Sequence, residues 1–124
     1  MSTRCQVKIK DKWGELWFYR HSDGYPEGAL PTLTDFMERV KDGRIRDNIE
    51  QAGGWLVLIG AKEYNVKLDV PGEYDFNDWK CGAYEPSVPE RHGDIDYLYT
   101  LDLINLTIDI EHIRDNSANK IINI

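Results

Sequence analysis

With 124 residues, 41% of them hydrophobic and 30% charged, the sequence describes one domain with enough apolar surface for a core of its own. Twenty-two acidic residues against 15 basic ones give a net charge of −7, an average field that repels long nucleic acid but leaves room for a small anion held by a few local cations. The longest apolar run, WLVLI, has five residues, far short of a membrane span, and the alternating, charged start MSTRCQVKIK is not that of a signal peptide, so the expected location is cytoplasmic.

Residues 4–10, RCQVKIK, alternate with period two: Cys5, Val7 and Ile9 share one face, and Arg4, Gln6, Lys8 and Lys10 the other. A DKWG turn follows, and ELWFYRH returns as the second strand of a hairpin. Leu16, Phe18 and Arg20 lie on one face of that strand, and Trp17, Tyr19 and His21 on the opposite one. Large side chains on both faces predict that both are covered, one by helices and one by a second subunit. Next, LPTLTDFMERVKDG has the signals of a helix. Thr32 and Asp35 stand in capping-box positions, Leu33, Phe36, Met37 and Val40 follow the i, i+3, i+4, i+7 rule, and Gly43 supplies a left-handed stop.

A second helix is predicted from Asp47, with Glu50 three residues on and Ile49, Ala52, Leu56, Ile59 and Tyr64 at helical spacing. Gly53-Gly54 costs it about 1 kcal/mol per glycine against alanine. The rival is a short helix followed by a buried strand WLVLIG. The long helix is preferred, because paired glycines let a helix lie close to its neighbour. Residues 65–78 read as a polar loop of a length that is often functional, then WKCGAYEP as a strand and SVPERHG as a loop. DIDYLYTLDL and LTIDIE form a strand pair turning near Ile104-Asn105. The tail HIRDNSANKIINI ends apolar, which predicts docking on a neighbouring surface. The order β-β-α-α-β-β-β fits an α+β fold, an antiparallel sheet with two helices packed on one face. Cys5 and Cys81 lie far apart without metal-ligand spacing and are expected to be reduced.

The chemistry concentrates in WFYRHSDGYPEG, where Arg20, His21, Ser22 and Asp23 precede a turn at Gly24-Tyr25-Pro26. Ser22 next to His21 is badly aimed for nucleophilic attack, since neighbours on a strand point to opposite faces, and no G-x-S-x-G elbow surrounds it. Asp23-Gly24 is also plain turn chemistry. His21, His92 and His112 have no zinc-ligand spacing, and the phosphate-binding glycine motifs are missing. No catalytic residue, metal or cofactor is expected.

Arg44 and Arg46 stand in DGRIRDN, beside Asn48 and just before the N-terminus of the second helix. Backbone amides and guanidinium groups there can hold phosphate, or the arginines can pair with Asp42 and Asp47. Four Trp, seven Tyr and three Phe supply rings, among them Phe76, Trp79 and Tyr84, on which a base can stack. Local arginines and rings on an acidic chain suit a small phosphorylated aromatic ligand.

The strings FYRHSDGYPEG and LPTL, then DGRIRDN and GGWL, then WKCGAYEP, HGDI and YLYTLDL resemble a family of small phage-encoded proteins, the Thoeris anti-defence sponges. The resemblance spans residues 4 to 110, and segments 65–78 and 111–124 carry no family pattern. It implies an α+β homo-oligomer with ligand sites between protomers. It also implies sequestration, without cleavage, of a cyclic ADP-ribose isomer made as an alarm signal, and a second site for cyclic oligonucleotides. Under it Arg20 contacts phosphate, His21 is a donor or stacking plane, and Gly24 lets backbone approach the ligand. The expected contact set is Phe18, Arg20, His21, Asp23, Gly24, Tyr25, Arg44, Arg46, Asn48, Phe76, Trp79, Tyr84 and His92. Two other functions compete: a small phosphodiesterase or hydrolase using His21, Asp23 and His92, and an inhibitor module that binds a host protein through its acidic face.

Overall fold

The alternation of the first strand is realised in full. In the computed structural model, which describes residues 2–66 and 81–124, β1 (Cys5–Lys10) is central and buries Cys5, Val7 and Ile9 completely. It pairs antiparallel with β2 (Glu15–Arg20) across the predicted hairpin. Phe18 sits opposite Val7 and Arg20 opposite Cys5, so the buried face of β2 carries a guanidinium among apolar side chains.

Helix α1 (Pro26–Lys41) starts six residues before the predicted cap at Thr32. Pro26 at its first turn has the right fixed φ and needs no N–H there. Pro31, which the sequence places at the helix entrance, lies inside it and costs one intrahelical hydrogen bond. Thr32 instead donates its hydroxyl to Glu63 at 2.6 Å. Ala29, Leu33, Phe36, Met37 and Val40 are the buried stripe, and Gly43 follows the helix with φ 85°.

Helix α2 (Ile49–Glu63) is the single long helix preferred from sequence. Its cap is Asn48, one residue after the predicted Asp47, with the side-chain oxygen accepting from Gln51 N–H at 2.9 Å. Two of its glycines, Gly53 and Gly60, face inward for a reason, whereas Gly54 is open to solvent. A Cβ on Gly53 would lie 2.9 Å from Leu16, and one on Gly60 would lie 2.8 Å from the backbone nitrogen of Tyr84, so the helix rests directly on its neighbours.

β3 (Glu85–Ser87) is only three residues long and pairs with β2, shorter than the predicted WKCGAYEP strand, whose Trp79 and Lys80 lie outside the described residues. β4 (Tyr97–Asp102) and β5 (Thr107–His112) are the predicted antiparallel pair. The tail forms β6 (Lys120–Asn123) on β5, so Ile122 and Ile124 pack on the chain's own core while Ile121 stays exposed. The sheet order is β3-β2-β1-β4-β5-β6, antiparallel except where β1 meets β4, and both helices lie on the Cys5–Val7–Ile9 side. The fold is α+β. No helix among the described residues is long and apolar enough to cross a membrane. Cys5 and Cys81 are free thiols, the first buried and the second exposed.

Candidate functional site

The WFYRHSDGYPEG segment separates into three environments. Phe18 and Tyr84 are core residues. Arg20 is 1% exposed, and two of its three guanidinium nitrogens are committed within the chain, while Nη1 is buried without a hydrogen-bond partner among the described residues. Nε donates to the Ser22 carbonyl at 2.6 Å and Nη2 to Glu63 Oε2 at 2.5 Å, while the guanidinium lies over the Tyr84 and Tyr64 rings. Burial works against the charge, but the Glu63 hydrogen bond and the neighbouring rings raise the arginine pKa further. The same pocket pushes the Cys5 thiol up to about 12, through burial.

The turn itself is structural. Asp23 has φ 58° and its carboxylate accepts from the half-exposed Tyr25 hydroxyl at 3.3 Å. Gly24 is the close-approach glycine of the segment, but what it approaches is β1. Its N–H donates to the Thr3 carbonyl, its own carbonyl accepts from the Tyr99 hydroxyl at 2.7 Å, and an added Cβ would stand 2.8 Å from the Cys5 nitrogen.

His21 turns to the opposite face of the sheet and there meets a residue 71 positions away in the chain, His92, across one ring. Arg4 Nε donates to His21 Nδ1 at 3.3 Å. The His92 ring stacks on Tyr19 with centroids 4.7 Å apart, and the Tyr19 hydroxyl donates to Asp94 at 2.8 Å. Burial and Asp94 push the Tyr19 phenol up to about 12. The loop carrying His92 is fastened by Gln6, fully buried, which accepts from the His92 N–H and donates to the Glu90 carbonyl. The chain thus supplies from its own loop part of the cover that the sequence assigns to a second subunit. Asp23 stands apart from this cluster, and Asp94 occupies the place of its carboxylate. Among the described residues no three His, Cys, Asp or Glu side chains converge as a metal site.

The two arginines of DGRIRDN point into different hollows. Arg46 lines one of about 400 Å³ beside Leu103, Ile104 and Leu106 at the β4–β5 turn. Arg44 lines a groove of about 360 Å³ between α1 and α2, with Asp35, Arg39, Ile45, Trp55, Leu58, Ile59 and Lys62. Arg39 is paired with Asp35 and Arg44 with Asp42, which fixes both guanidinium groups at the rim. The Asp42 contact raises the arginine's pKa and lowers the carboxylate's. Counting Lys62, this patch carries three cations against two carboxylates on a chain whose net charge is −7. Trp55 is 47% exposed and Leu58 50% exposed, so the groove joins an open indole to cationic edges. Asn48 is engaged as the cap of α2. Phe76 and Trp79 lie outside the described residues.

Trp55, Arg39 and Lys62 are absent from the set expected from sequence. A signal for them exists: if Ala52, Leu56 and Ile59 form the buried stripe of α2, then Trp55, Leu58 and Lys62 fall off that stripe. Comparison with models of known protein families, with characterised proteins and with solved structures finds no match.

Proposed function

We propose that this protein is a non-catalytic binding protein that sequesters a small phosphorylated, base-bearing ligand of the cyclic ADP-ribose class, and that the ligand docks in the α1–α2 groove. The observation that carries the reading is that Trp55 lines one groove together with Arg39, Arg44 and Lys62. A base stacked on one aromatic ring is worth about 1–3 kcal/mol, and charge-assisted hydrogen bonds about 1.5–3 kcal/mol each. Arg39 and Arg44 are already oriented by carboxylates, which lowers the cost of ordering them on a ligand. Arg20 serves the fold in this reading, and Arg44 is the member of the arginine trio that remains at the site.

The phosphodiesterase alternative has one observation in its favour, the convergence of His21, His92 and Arg4 around Tyr19. One experiment separates the two. Protein is titrated against cyclic ADP-ribose isomers, the free ligand is measured, and the complex is then heated to denature the chain. Capture of no more than about one ligand per chain, with intact ligand released on heating, is the expected result. Destruction of ligand by substoichiometric protein favours the enzyme, and absence of binding by every isomer overturns both the ligand class and the groove.

A further inference from the structure

The two edges of the sheet are built differently. β3, at one end, is three residues long and contains Pro86, which has no N–H to offer a further strand. β6, at the other end and the last strand among the described residues, is KIIN, without proline, and exposes Ile121 to 63%.

The register tells which backbone groups of β6 are free. Thr107 is opposite Asn123 and Ile108 opposite Ile122, and the Ile124 N–H donates to the Leu106 carbonyl at 2.9 Å. In an antiparallel ladder the hydrogen-bonded residues alternate. Lys120, Ile122 and Ile124 therefore turn their N–H and C=O groups towards β5, while Ile121 and Asn123 turn theirs outwards. Neither outward position carries a formal charge, and the side chain of Ile121 shares the face of its partner Asp109, away from the helices.

We infer that β6 is an interaction surface for a second copy of this chain, paired antiparallel to itself about a two-fold axis at Ile121. With that axis Ile121 of each copy faces Ile121 of the other, and the two exchange both outward backbone hydrogen bonds. Lys120 stands opposite Ile122 of the other copy, so no like charges meet. The open faces of both sheets fall on one side and the helices on the other, giving one continuous sheet. A second copy fits better than an unrelated strand because the assembly closes. Joining β6 to β6 uses both open edges and leaves only the two proline-bearing β3 edges at the ends, which stops growth at two. The inference is independent of the proposed ligand groove, which lies on the outer side of the helices.

The test is sedimentation equilibrium of the full chain from about ten to several hundred micromolar, with wild type, Ile121→Lys, Ile121→Glu, and an equimolar mixture of the two variants. Wild type is expected to rise from 14.4 kDa towards twice that mass with concentration. Each variant alone should associate at least about tenfold more weakly, because like charges then face each other across the axis. The mixture should regain the dimer, an outcome that misfolding cannot produce. A wild type that stays monomeric throughout the range, variants that dimerise like wild type, or a mixture that does not recover would each overturn the inference.

Discussion

The inner and outer sides of α2 use the same kinds of residue to opposite ends. Inside, Leu56 and Ala52 pack against the sheet, Gly60 touches the backbone of Tyr84, and Glu63 at the end of the helix holds the buried guanidinium of Arg20. Outside, Trp55 and Leu58 stand open to solvent, with Lys62 one turn on and Arg44 at the rim. Both sides thus combine apolar bulk with an arginine. On the inner side the arginine's hydrogen bonds and ring contacts are internal, so it fixes the fold. On the outer side a carboxylate holds the arginine in place while the ring beside it stays uncovered, so the surface is ready for a ligand.

Arg20→Ala tests the inner side most severely. It removes a large, fully buried side chain and leaves the Ser22 carbonyl without its donor and the partly exposed Glu63, still held by Thr32, without its cation, and a large-to-small change at a buried position costs about 2–5 kcal/mol. Urea denaturation should show that loss, and a change below about 1 kcal/mol would mean that Arg20 is not a keystone of the fold. Gly60→Ala comes next. Its new methyl would meet the Tyr84 nitrogen at 2.8 Å, and overpacking of this kind costs about 1–3 kcal/mol by the same measurement.

On the outer side, Trp55→Ala should leave stability within about 0.5 kcal/mol while weakening ligand binding by about 1–3 kcal/mol in calorimetry. A large loss of stability with unchanged affinity would reverse the comparison. The smallest effect on folding is expected for Arg44→Ala, whose ion pair with Asp42 is exposed and screened by solvent, seen as a shift of the thermal midpoint no larger than experimental scatter. The thiols give an independent check of burial. A colorimetric thiol reagent should modify Cys81 in the native protein and reach Cys5, whose thiol burial pushes up to about 12, only on unfolding.

Much of this architecture is local and therefore legible. Period-two alternation in RCQVKIK and LTIDIE and the helical spacing of Leu33, Phe36, Met37 and Val40 and of Ile49, Ala52, Leu56 and Ile59 each express an interaction between near neighbours in the chain. Those features determined the hairpin, both helices, the β4–β5 pair and the α+β class. The start of α1 was misplaced because Pro31 inside a helix and Pro26 at its first turn have the same local signature, and only the packing of Leu30 and Ala29 on the core distinguishes them.

What the tertiary structure alone decided are the encounters between distant residues. The parallel pairing of β1 with β4 joins segments about ninety residues apart and sets the order of the whole sheet. The site was less legible than the fold for the same reason. WFYRHSDGYPEG shows that Arg20 and His21 lie on opposite faces of a strand, but not that Glu63 awaits the first and Arg4 and His92 the second. DGRIRDN shows two arginines two residues apart, but not that one enters the groove beside Trp55 and the other a separate hollow. Which cation is sealed in and which stays open is fixed by partners that the chain brings together only on folding, because the energy of a charge depends on what surrounds it rather than on what precedes it in sequence.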